Sequence, residues 1–182
     1  GSSRNRYEPS AADEIWVVDD GTEFVATLSA SLARTGARVR TFSADDSSIE
    51  RSDPPERLTG LVLNIDGTYD DAAFGRVLRL VSKLSRPLQA AGESRFAFVA
   101  GLVRLDGSFG LDAETGGEEL AGWSTAALSG LVKTLAWEWP GVAARVFDVD
   151  PRWAEWQPAA AAEKVIAELF MDGPVERGFG GA

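Results

Sequence analysis

The side chains best placed for chemistry in this sequence are carboxylates in adjacent pairs. Asp19-Asp20 closes the apolar run Ile15-Trp16-Val17-Val18 and is followed by Gly21-Thr22-Glu23-Phe24. A turn at such a place can receive a pyrophosphate on its backbone N–H groups and helix N-terminus, but glycines must let the phosphate approach. A single glycine stands here, and Asp19, Asp20 and Glu23 put negative charge where phosphate charge would lie. The turn therefore predicts a strand-to-helix connection capped by Asp or Thr. Carbonyl chemistry through a tyrosine acid needs an amine one helical turn further on, and neither tyrosine has one: Tyr7 is followed by Ala11 and Tyr69 by Ala73. Zero histidine and zero cysteine remove imidazole acid–base catalysis, Ser-His-Asp triads, thiol nucleophiles, disulfides and thiolate zinc sites. Asp45-Asp46, Asp70-Asp71 and Asp148/Asp150 have the residue type of metal ligands, but in so acidic a chain they read as turns and helix caps.

Short apolar runs alternating with segments of helical period must position these groups, a pattern that predicts a parallel sheet covered on both faces. The expected strands are 15–18, 37–42, 61–65, 96–100 and 145–149, with a closing strand at 175–179. Helices are expected from Thr22 toward Gly36, where Val25, Leu28 and Leu32 share a face, and from Asp70 through Leu88. A further helix runs from Leu120 to Trp139-Pro140, where proline cannot continue the hydrogen bonding, and a last one starts at Pro158. Residues 45–56, which contain Pro54-Pro55, and the Gly- and acid-rich residues 105–119 read as loops. Trp16, Trp123, Trp137 and Trp139 fall in strand or helix patterns and are expected to pack in or around the core.

The chain has 182 residues, 45% of them hydrophobic, enough for one domain over 15–182 preceded by an N-terminal tail over 1–14 with an entry strand. Its 18 basic and 28 acidic side chains give a formal charge of −10, which disfavours nucleic acid and anionic membrane as partners. No apolar run has the length of a membrane span and no signal-peptide pattern opens the chain, so a cytoplasmic location is expected.

Two family resemblances follow from particular residues. Ile15-Trp16-Val17-Val18-Asp19-Asp20, with Ala37-Arg38-Val39-Arg40-Thr41 after the first helix, resembles the start of a bacterial response-regulator receiver domain. In that comparison the paired acids bind magnesium and Asp66 takes the phosphoacceptor place. Receivers carry Ser or Thr after the fourth strand and Lys after the fifth; here stand Ala100-Gly101 and Asp148-Val149-Asp150-Pro151, and the lysines are Lys83, Lys133 and Lys164.

Residues 123–140, Trp-Ser-Thr-Ala-Ala-Leu-Ser-Gly-Leu-Val-Lys-Thr-Leu-Ala-Trp-Glu-Trp-Pro, and then Arg145-Val146-Phe147-Asp148-Val149-Asp150-Pro151, carry the more specific resemblance. They resemble ketoreductases of type I polyketide synthases, above all the iterative kind related to polyunsaturated fatty acid synthases. Arg6-Tyr7-Glu8-Pro9, Asp106-Gly107-Ser108-Phe109-Gly110 and Val175-Glu176-Arg177 resemble the entry strand, fourth-strand loop and exit of that enzyme's N-terminal structural subdomain, a short-chain dehydrogenase/reductase relative without catalytic groups. The resemblance implies an α/β fold, a truncated Rossmann-like doubly wound, mostly parallel sheet of about five to seven strands with helices on both faces.

It also implies a scaffold that is no enzyme by itself. No catalytic, cofactor-binding or metal residue is expected in this chain. NADPH would be held by a partner catalytic subdomain that reduces β-ketoacyl thioesters on an acyl carrier protein, with neighbouring synthase domains as further partners. Matching Gly130-Leu131 to active reductases puts the catalytic Tyr and Lys positions on Ala121 and Thr125, and Ser108 near the serine position. Trp153 and Trp156 lie in a short connection beyond the fifth strand. With Tyr7, Arg177 and Phe179 they are the expected interface residues. The alternatives are the receiver domain and a free-standing pseudo-reductase that binds a partner.

Overall fold

The computed structural model describes residues 7–65, 70–109, 123–171 and 176–179. Six strands form one sheet: β1 (Glu14–Asp19), β2 (Arg38–Ser43), β3 (Leu58–Asn64), β4 (Ala97–Val103), β5 (Val142–Val149) and β6 (Glu176–Phe179). They pair in the order β2-β1-β3-β4-β5-β6, every neighbour parallel. β3 and β4 are buried along their whole length, as their near-continuous apolar sequences require in a sheet covered on both faces. The chain reverses its direction of growth between β1 and β3, which makes the carboxyl edge of these strands the switch point where open α/β sheets take ligands.

Side-chain alternation along the strands divides the core. Trp16, Val18, Leu61, Leu63, Val99 and Val146 face one side, under α3 (Asp71–Ser94) and α4 (Trp123–Glu138). Ile15, Val17, Val62, Phe98, Phe147 and Val149 face the other, under α1 (Glu23–Arg34) and α6 (Pro158–Leu169). The short α2 (Ser48–Arg51) sits on the first face through Ile49, and α5 (Pro151–Trp156) on the second through Ala154. The crossovers through α1, α3 and α4 share one hand. The last does not: β6 lies outward of β5, yet α5 and α6 return over the α1 face, a rare sense for parallel strands. Two contacts hold that return in place. Buried Arg145 on β5 donates to the Glu168 carbonyl at the end of α6, and the Phe170 ring meets Phe98 edge-on at 5.7 Å.

Turn chemistry sets the boundaries. Asp70 caps α3 by accepting the Ala73 N–H at 2.8 Å, and Asp150 caps α5 by accepting from Arg152 at 2.8 Å. Pro151 and Pro158 open α5 and α6 at positions whose N–H has no helical partner. Pro87 lies inside α3, a helix the flanking apolar face keeps continuous. Three glycines are steric necessities: a Cβ on Gly60 would stand 2.2 Å from the Phe98 ring, one on Gly92 2.6 Å from the Gly141 carbonyl oxygen, and one on Gly178 1.9 Å from the Gly107 carbonyl oxygen.

Several expectations need correction. Residues 45–56 contain α2, whose single turn carries too little periodicity to be read, and residues 151–156 form α5 where only a connection was expected. Residues 7–13 form no strand; they strap the amino edge of the sheet, with the Tyr7 N–H on the Phe170 carbonyl at 3.0 Å. Trp16 and Trp139 are buried and Trp123, though 52% exposed, packs edge-on against Phe74 at the rim of the core, as expected; Trp137 is 89% exposed, because it stands on the side of α4 opposite Leu128, Val132 and Leu135.

Candidate functional site

At the switch point, the β1–α1 turn is closed by its own side chains. Asp19 accepts the Gly21 N–H at 2.8 Å. Asp20 accepts the Thr22 N–H at 3.0 Å and the Thr22 hydroxyl at 2.7 Å with Oδ1. Thr22 caps α1 by accepting the Val25 N–H at 3.4 Å. The second Asp20 oxygen meets the Arg104 guanidinium, which arrives from the carboxyl end of β4. Asp20 is 1% exposed and Arg104 17% in this ion pair, and burial pulls the Arg104 pKa below its ordinary value. Gly21 has φ +80°, which explains a glycine there, yet nothing lies within 4 Å of the place a Cβ would take. Its glycine character serves the turn's backbone and makes no close approach. Between β1 and β4, Asn64 ends β3 fully buried, with neither amide atom hydrogen-bonded. Because Val62 points to the α1 side, so does Asn64.

A second carboxylate is wrapped by the loop after β4. Asp148 on β5 is fully buried and accepts the N–H groups of Leu105 at 2.8 Å and Phe109 at 2.7 Å. Gly107 and Phe109 take positive φ values of 78° and 58° to turn these groups inward. Burial raises the Asp148 pKa, backbone hydrogen bonds from Leu105, Phe109 and Asp106 pull it down, and the Asp106 charge adds to the rise; the net direction is upward. Ser108 lies in this loop with its Oγ buried and without a hydrogen-bond partner, while its N–H donates to Asp106 at 2.8 Å.

The other chemistry-bearing residues are engaged in structure. Thr125, at the expected lysine position, is buried in the first turns of α4; Ala121, Asp66 and Tyr69 lie outside the described residues. Asp46 accepts from the Ser48 N–H at 2.7 Å and the Ser48 hydroxyl at 2.6 Å, so Asp46, like Asp70 and Asp150, serves a turn or cap as expected, whereas Asp148 is a buried strand residue. Among the described residues no group of three metal-ligating side chains exists. The expected interface residues are engaged to different degrees. Tyr7 stacks on Phe96 at 4.7 Å and donates to Asp13 at 2.9 Å, on the amino edge of the sheet. Phe179 is buried and stacks on Phe147 at 5.9 Å, and Arg177 pairs with Glu168 at 3.3 Å. Trp153 is half-buried against the α1–α6 cluster, and Trp156 is 75% exposed.

Sequence reasoning passed over Arg104 and Asp13. Arg104 ends the apolar run of β4, a place where a charge signals a partner at the sheet edge. Asp13 is buried and gathers its chain neighbours Tyr7 and Ser10 together with Thr59 at 3.0 Å and Arg57 at 3.1 Å, the last two from more than 40 residues away, which no local pattern announces.

The sheet and its helices are similar in fold to solved short-chain dehydrogenases. A short-chain dehydrogenase from Rhodopseudomonas palustris is similar with a TM-score of 0.62 and 13% identity over 94% of this chain and 99% of that one. One from Burkholderia cenocepacia J2315, solved in complex with NADP, gives 0.61 and 15% over 92% and 88%. The 3-alpha-hydroxysteroid dehydrogenase from Pseudomonas sp. B-0831, complexed with NADH, gives 0.57 and 19% over 88% of each chain. At these identities the likeness establishes the Rossmann-like fold. No protein-family model and no curated protein matches the chain.

Proposed function

We propose that this chain is the non-catalytic structural subdomain of a polyketide- or polyunsaturated-fatty-acid-type ketoreductase. In this reading it scaffolds a companion half that binds NADPH and reduces carrier-bound β-ketoacyl thioesters. One observation carries the proposal: in a fold of the dehydrogenase type, the turn that would hold pyrophosphate has its donors engaged by Asp19, Asp20 and Thr22, with Arg104 closing over Asp20. The resemblance over 123–151 supplies the parent activity, and Thr125 in place of a lysine fits a chain that moves no proton. The receiver reading would need Asp19 and Asp20 as magnesium ligands, whereas here one accepts from Gly21 and the other is buried against Arg104. Trp156, exposed on the same short helix as half-buried Trp153, is the surface offered to the companion half.

Calorimetry of NADPH into the chain alone is expected to give no binding heat, and co-expression with a catalytic half should yield a co-purifying pair with reductase activity. W156A is expected to weaken that association without lowering the thermal midpoint of the isolated chain. Micromolar NADPH binding by the chain alone would overturn the proposal.

A further inference from the structure

The donors that converge on Asp20 are those that hold phosphate elsewhere: a backbone N–H, a hydroxyl and a guanidinium, at the head of a 12-residue helix. As a stabilising device a buried ion pair such as Asp20–Arg104 is a weak choice, since both charges give up hydration. As an anion site it is well furnished. We infer that Asp20 is a built-in phosphate surrogate, its carboxylate filling a latent phosphate site made by Thr22 and Arg104 beside the end of β3, where Asn64 stands.

Asn64 is the independent sign of a ligand position. A fully buried amide with neither polar atom paired is uncommon. This one ends the strand between β1 and β4, on the α1 side of the switch point. Its NH2 group adds a donor that Asp20 does not use. The open space beside Gly21 provides the approach. Asp19 and exposed Glu23 remain nearby as repelling charges, so the uncovered site should take inorganic phosphate at roughly millimolar strength.

The inference deepens the reading of a reductase-like fold without nucleotide binding, by naming the group that blocks the site. Its test uses the whole chain with D20G and D20N, followed by thermal unfolding and calorimetry in inorganic phosphate against chloride at matched ionic strength. The wild type should not respond. D20G should unfold earlier in chloride and recover by at least about 3 °C in ~20 mM phosphate. D20N keeps the shape of the side chain and folds even where the glycine variant fails; it should show a smaller response of the same sign. The R104M change in either background should abolish the response. Equal midpoints in phosphate and chloride for both variants, or a response that survives R104M, would overturn the inference. Association with a catalytic half would be unaffected by that outcome, so the two proposals fail separately.

Discussion

At the scale of single residues, two buried carboxylates govern how stability depends on pH, with opposite signs. Burial alone would raise the pKa of Asp13, but hydrogen bonds from Ser10, Tyr7 and Thr59 outweigh it and hold the carboxyl well below the usual range. A depressed folded-state pKa gives stability that is full above the unfolded value of about 3.9 and is lost as pH falls through the folded one. Asp148 is shifted the other way, so its contribution declines as pH rises from about 3.9 through its raised value. D13N is expected to cost about 2–3 kcal/mol at neutral pH, by leaving buried donors unmatched, and to flatten the acid limb of a urea-unfolding series. D148N should gain on the wild type as pH rises from about 4; parallel pH profiles for both variants would show the assignment to be wrong. Neither role was legible in the sequence: Asp148 draws its partners from the loop after β4, and Asp13, though Ser10 and Tyr7 stand near it in the chain, is completed by Arg57 and Thr59 from across the sheet. The caps Thr22, Asp70 and Asp150 were within reach of sequence reasoning, since their partners stand two or three residues away.

Among the elements, the close approaches decide what can be exchanged. G60A pushes a methyl group into the buried Phe98 ring and is expected to destabilise the chain by about 3 kcal/mol, with part of the loss restored by adding F98L. G178A meets backbone at Gly107, which cannot swing aside as a ring can, so β6 should undock and the 104–109 loop become protease-sensitive. The α2–α3 contact is of another kind. Arg79 pairs with Glu50 at 2.7 Å and Lys83 donates to the Glu50 carbonyl at 2.9 Å, on a solvent-washed flank where E50A should cost less than about 1 kcal/mol. Strands β1, β3, β4 and β5 announced themselves through apolar runs, and α1, α3 and α6 through one-sided periodicity. α2 and α5 did not, being too short to display a period. The exposed faces of Trp123 and Trp137 were hidden for the opposite reason: α4 is apolar on more than one side, so its pattern does not say which side is covered.

For the molecule as a whole, the layered architecture followed from the alternation of short apolar runs with helical segments, whereas the hand of the last crossover and the closure of the nucleotide turn needed three dimensions. Exchange of backbone amides with deuterated water should be slowest in β3 and β4, which are flanked on both sides, and fastest in β6 at the margin. Equal protection of β6 and β4 would contradict that ordering. The reversed return of α5 and α6 also has a consequence in time. Leu28 and Leu32 on α1 are made more than a hundred residues before α6, the helix that shields them. Until α6 emerges that stripe stays bare, a standing invitation to chaperones that bind nascent apolar surface.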